Sequence, residues 1–127
     1  MVEVNIPEVV VELTAEFDSY ERAVVTGDFQ TVIRHFWDSP HTVRYGTTTR
    51  EHFYNNADIT AFRIQRGALK QPRTLRNTRI TTYGRDFGTA DTEYLMERSD
   101  RVGRQSQTWV RFPEGWRIVS AHVSLGI

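Results

Sequence analysis

Gly103 to Ser124 reads GRQSQTWVRFPEGWRIVSAHVS, two strand-like runs separated by the turn-forming Pro-Glu-Gly. In the second run, alternation puts Val119, Ala121, Val123 and Leu125 on one face and Ser120, His122 and Ser124 on the other. With Glu114-Gly115 as a two-residue turn, Gln107 lies across from His122, Gln105 from Ser124 and Trp109 from Ser120, so all six side chains share one sheet face. A slip of one residue would dissolve that grouping. In an apolar pocket the set would supply amides, an imidazole and an indole wall suited to a planar polar ligand. The alternative is a hydrogen-bonded dimer interface or a core histidine.

Upstream of this hairpin, TLRNTRITTYG and FGTADTEYLMER have the same strand character and are set off by Gly-Arg-Asp and Ser-Asp-Arg turns. Four consecutive antiparallel strands are expected from Pro72 onward. The amino-terminal half is helical. Val9, Leu13, Phe17, Tyr20 and Val24 recur at helical spacing, with Asn5 and Glu8 bracketing Pro7 as a start signal and Gly27 as the stop. Asp28 is expected to cap a second helix with the stripe Phe29, Val32, Ile33 and Phe36, ending at Trp37 and Ser39-Pro40. Short strands are expected at Thr42 to Gly46 and around Phe53. A third helix from about Asp58 to Arg66, closed by Gly67, puts Ile59, Phe62, Arg63 and Arg66 on one side. Helices first and a meander last give an α+β domain, three helices packed on a curved, mostly antiparallel sheet, over residues 1–127 as a single unit.

Composition narrows the functions open to such a domain. Sixteen basic residues balance sixteen acidic ones, so no overall field attracts nucleic acid or an acidic membrane. The absence of cysteine removes thiolate nucleophiles and zinc-thiolate sites. No apolar run approaches a membrane span and MVEVNIPEVV lacks the features of a signal peptide, so a cytoplasmic location is expected. His35, His41 and His52 lack metal-ligand spacing and are expected at the surface; no metal and no cofactor is expected, since Rossmann and phosphate-loop motifs are absent as well. No Gly-x-Ser-x-Gly or Ser-x-x-Lys string offers a nucleophile.

The order of elements, together with TVRYG, TLRNTRITTYGRDF and the Gly103 to Ser124 string, resembles the nuclear transport factor 2-like (SnoaL-like, cystatin-like) superfamily, and within it the AtzH-like subgroup. The resemblance covers nearly the whole chain; one departure is YNNAD, Tyr54 to Asp58, where a glycine-containing turn before an acidic residue is expected. It implies a conical domain with a pocket between sheet and helices and a homodimer through the outer sheet face. It also implies a small carboxylated urea, such as oxalurate, as ligand, in the setting of ureide and s-triazine catabolism beside an amidohydrolase.

Arg44, Arg63 and Arg66 are the candidates for gripping a carboxylate, because a guanidinium presents a flat fork of donors matching two oxygens. Alternatively their stems cover apolar surface while the charged ends reach water or pair with Asp58, Asp91 or Glu93. The expected site has Arg44 and Arg63 on the carboxylate, helped by Arg66, with Tyr45 and Trp109 as walls. Gln105, Gln107 and Ser124 would fix the ureido group and His122 would move a proton in hydrolysis or decarboxylation. Two other classes compete: a non-catalytic dimeric partner of an amidohydrolase, and an isomerase or dehydratase using His122 or Glu93 as base.

Overall fold

In the computed structural model of the protein, which describes residues 1–126, Pro7 opens helix α1 (Pro7–Thr26) where its missing N–H has no partner to lose, and Gly27 closes it at φ 79°. Val9, Leu13, Phe17, Tyr20 and Val24 are all buried along its length, as the spacing predicts. The expected cap differs. Ile6 is the N-cap and makes no side-chain cap bond, while Asn5, at φ 59°, accepts from the Thr82 amide at 2.9 Å and ties the amino terminus to the sheet.

Asp28 caps helix α2 (Phe29–His35), accepting from the Thr31 amide at 3.2 Å. Strands β1 (Val43–Tyr45) and β2 (His52–Phe53) then form a short antiparallel pair, ahead of helix α3 (Asn56–Arg66). That helix starts two residues earlier than Asp58 because the Asn55 side chain accepts from the Asp58 amide at 2.8 Å. Strands β3 (Arg73–Tyr83), β4 (Phe87–Met96), β5 (Val102–Phe112) and β6 (Gly115–Leu125) follow as the expected meander. The six-stranded sheet has the order β2-β1-β6-β5-β4-β3, with β1 parallel to β6 and every other neighbour antiparallel.

One hydrophobic core fills the space between helices and sheet, centred on Leu13, Phe17, Ile59, Trp109 and Ile118, each at most 2% exposed. Each such side chain contributes on the order of 2 kcal/mol by leaving water. Gly88 on β4 lets α1 come close, since a Cβ there would run into the Leu13 side chain.

The β5–β6 register corrects the sequence reading. Phe112 pairs with Gly115, so Pro113-Glu114 is the turn, one residue earlier than expected. That change alone moves every partner by two positions and preserves the faces. Further along, however, Trp109 pairs with Ile118 while Thr108 pairs with Ser120, leaving Val119 as an extra residue. This bulge shifts the pairing by one and inverts the faces beyond it. Gln107 therefore faces Ala121, and Ser106 faces His122. Gln105, Gln107 and Trp109 turn inward with Ile118 and Ala121, whereas Ser120, His122 and Ser124 are exposed on the outer face.

Candidate functional site: an arginine-lined pocket

Inside the sheet lies a pocket of about 160 Å³, lined by residues of α1, α3, the β1–β2 loop and the inner faces of the strands. That is far more room than a single water needs. Its two ends are built differently.

At one end Arg73 on β3 donates to Glu21 of α1 through Nη2, at 2.6 and 2.8 Å, and through Nε at 3.1 Å. Gln105 closes the set: its Nε2 donates to Glu21 Oε1 at 2.9 Å and its Oε1 accepts from Arg73 Nη2 at 3.1 Å. The Arg73 guanidinium lies 4.7 Å from the centre of the Tyr94 ring. The outer end of that ring lies against Gly103, where a Cβ would overlap it, and its hydroxyl donates to the Ser124 carbonyl at 3.0 Å. Burial raises the Tyr94 pKa despite the nearby arginine. Every strong polar group at this end has a partner.

The other end is short of partners. Arg44, carried by β1 beside Ala121 of β6, is 5% exposed and donates to Glu51 at the long distance of 3.4 Å. Arg63 and Arg66 project from successive turns of α3. The Phe62 ring sits among all three guanidiniums, at 5.2 Å from Arg44, 5.7 Å from Arg63 and 5.4 Å from Arg66. Arg63 is 7% exposed and makes no ion pair among the described residues; its Nε is buried with no hydrogen-bond partner. Burial, and next the charge of Arg63, push Arg44 down to about 10, and the same two causes lower Arg66. Counting Arg44, Arg63, Arg66 and Arg73 against Glu21 and Glu51, the pocket carries two positive charges in excess. Tyr20, 3% exposed, faces the same space, and its hydroxyl makes no hydrogen bond among the described residues. Among those residues no three His, Asp or Glu side chains converge as a metal site requires.

The AtzH-like family model matches residues 2–126. The chain belongs to the AtzH-like family. Solved structures agree: a protein of unknown function from the DUF3225 family of Pectobacterium atrosepticum is 47% identical, with a TM-score of 0.92 over 98% of this chain and 95% of that one. A cystatin-like fold protein from Burkholderia xenovorans is 41% identical, with a TM-score of 0.91 over 99% and 98%. A nuclear transport factor 2-like superfamily protein from Salmonella enterica, 24% identical with a TM-score of 0.74 over 94% and 92%, shares the fold. The chain matches none of the curated proteins.

In this AtzH-like chain the pocket collects four of the expected site residues, Arg44, Arg63, Arg66 and Gln105. Two more turn inward without reaching it. Trp109 is wholly buried in the core against His35, and Gln107 accepts from the Trp109 indole at 3.1 Å. The remaining three are on the outer face: His122 and Ser124 because the Val119 bulge inverts their strand, and Tyr45 because it pairs with His122 across β1 and β6. Their exposed cluster is aromatic, with Tyr45 5.6 Å from His122 and 5.9 Å from Tyr54, ring centre to ring centre. His35, expected at the surface, is instead 6% exposed, edge-on to Tyr20 and Trp109, with Nε2 3.2 Å from Glu16. Among the described residues no helix is long and apolar enough to cross a membrane.

Tyr20, Glu51 and Arg73, which line the pocket, and Glu21, which pairs with Arg73, went unrecognised in the sequence. Tyr20 carried a usable signal. A tyrosine inside an apolar helical stripe brings a hydroxyl that must find a polar setting when buried. Glu21 and Arg73 are separated by 52 positions, and no local pattern announces their pairing.

Proposed function

We propose that the pocket holds a small carboxylated urea, best a dianionic dicarboxyurea and less well the monoanionic oxalurate, and assists its hydrolysis or decarboxylation. The observation that carries this reading is the pair of buried, under-compensated guanidiniums of Arg44 and Arg63, with Arg66 beside them. An unpaired buried charge costs several kcal/mol unless something compensates it. A ligand with two carboxylates brings negative charge to this end of the pocket, and the arginine forks match planar carboxylates. Loss of carbon dioxide from an N-carboxylate requires a proton to arrive at the departing nitrogen. The Tyr20 hydroxyl is the free proton-bearing group for that step, because the Tyr94 hydroxyl is engaged with Ser124. Tyr20 thus takes the part the sequence suggested for His122, and the arginines act mainly by positioning.

Melting the protein with millimolar oxalurate, allophanate, malonate or a neutral steroid-like control tests this reading. A ligand at a hundred times its dissociation constant stabilises by about 2.7 kcal/mol. Carboxylated ureas are expected to raise Tm and the neutral control to leave it in place. No response to any of the anions, with Arg63→Ala behaving like the parent protein, would end this reading.

A second reading draws on the outer face, where Tyr45, Tyr54, Tyr83 and Phe87 are all at least 38% exposed. It makes that face the surface of a homodimer, or of a non-catalytic complex with an amidohydrolase. Molar mass in solution, alone and mixed with such an enzyme, decides it: a single-chain mass in both cases rules it out.

A further inference from the structure

Glu51 is the one described residue that lines both the arginine pocket and a second, open groove of about 590 Å³ on the outside. The groove is formed by Thr48, Arg50, His52, Asp58 and Phe62 among others, so Glu51 and Phe62 stand between this groove and the Arg44 guanidinium. The loop is folded to put the carboxylate there. Glu51 Oε2 accepts from the Thr48 amide at 3.2 Å, the Glu51 amide donates to the Thr48 carbonyl at 3.1 Å, and the Gly46 amide donates to the Glu51 carbonyl at 2.7 Å. Gly46 is required for this approach, because a Cβ there would fall on the Glu51 carboxyl group itself.

The pairing with Arg44 is nevertheless loose. Charge-assisted N–H···O contacts settle near 2.7–2.9 Å; the Arg73–Glu21 pair reaches 2.6 Å, whereas Arg44–Glu51 stays at 3.4 Å through a single nitrogen. Glu51 is also the one hydrogen-bond partner of the Arg44 side chain among the described residues. A carboxylate held at arm's length from a buried arginine, at the boundary of the pocket, occupies the place a ligand carboxylate would take.

We propose that Glu51 is a resident carboxylate that an incoming ligand displaces from Arg44 toward the outer groove, and that this exchange makes the pocket select dicarboxylates over monocarboxylates. The inference rests on the pocket being the anion site. A monocarboxylate that evicts Glu51 only replaces one negative group with another at Arg44. A dicarboxylate makes the same exchange and brings a second carboxylate to Arg63 and Arg66, which make no ion pair among the described residues. Glu51 is therefore a specificity-determining residue acting by competition.

The test is titration calorimetry with malonate and acetate at fixed ionic strength on the parent protein, Glu51→Gln and Glu51→Asp, with the Tm of each empty protein. Glu51→Gln removes the competitor and is expected to bind malonate roughly tenfold tighter, the worth of one charge-assisted contact. Its empty form should melt lower, because Arg44 has lost its counter-charge. The malonate-to-acetate preference should shrink. Glu51→Asp keeps the charge in the loop but withdraws it from Arg44, and should also tighten malonate, which separates contact competition from a diffuse field. If the parent protein binds malonate and both variants bind it equally or more weakly, the competition is overturned while the anion pocket stands. An unchanged malonate-to-acetate preference overturns the selectivity. If none of the three proteins binds malonate, the inference and the anion-pocket reading fall together.

Discussion

The two ends of the pocket solve the burial of arginine in opposite ways. Arg73 is enclosed by Glu21, Gln105 and the Tyr94 ring, and its charge is neutralised within the protein. Arg44, Arg63 and Arg66 share one loosely held carboxylate and one phenylalanine ring. The first arrangement is complete within the protein, and the second leaves positive charge uncompensated among the described residues. A protein tolerates such a shortfall where a ligand supplies the missing charge, and this is how stability and function come to oppose each other at a binding site.

The largest effect should come from breaking the completed end. Glu21→Ala strands a buried guanidinium, and removing one partner of such a pair costs about 3–5 kcal/mol. Urea unfolding should show a correspondingly lower midpoint with an unchanged slope. Replacing both partners, Glu21→Leu with Arg73→Met, should recover most of the loss, since no charge remains to be compensated. A single variant as stable as the parent would show that Arg73 is solvated there, and the contrast between the ends would disappear.

Next in size is Gly103→Ala, which drives a methyl group into the Tyr94 ring. Overpacking of this kind costs about 1–3 kcal/mol. Because the displaced ring supports Arg73, the melting temperature should fall while the guanidiniums of α3 keep their places. Anion binding should weaken less than stability does.

At the incomplete end the sign reverses. Arg63→Met removes a buried Nε with no partner, and relief of such a group is worth about 1 kcal/mol. Tm of the empty protein should rise by roughly 3 °C. Binding of a dicarboxylate should fall by roughly 10–100-fold, the loss of a charge-assisted contact. A variant that both melts lower and binds normally would show Arg63 to be a structural residue.

Most of the fold was legible because it rests on periodicities that local sequence carries. The α1 stripe, the Asp28 cap and the four-strand meander are patterns within a few residues of each other, and all are present. The arginines were legible as chemistry, and Arg63 with Arg66 also as geometry, being one helical turn apart on the buried side of α3. What could not be read was the Val119 bulge. A bulge is a single unpaired residue whose signature depends on the partner strand, and here it inverts everything from Ser120 onward. In hindsight the sequence held a conflict that only a bulge resolves: Trp116 and Ile118 occupy even positions, Ala121, Val123 and Leu125 odd ones, and both sets turn inward. The Glu21–Arg73 pairing was out of reach for a different reason, being purely tertiary.

The smallest effect should be that of His122→Ala, and its smallness is what makes it informative. On the bulged register the imidazole stands on the outer face beside Tyr45, separated from the pocket by the sheet itself. Surface substitutions away from caps and networks stay within about 0.5 kcal/mol, so neither Tm nor dicarboxylate affinity should move, while Tyr20→Phe should abolish turnover of a carboxylated urea with affinity retained. If instead His122→Ala lost turnover and Tyr20→Phe kept it, the inner face would be a binding surface only. The chemistry would then belong to the outer sheet, where a second chain would be needed to enclose it.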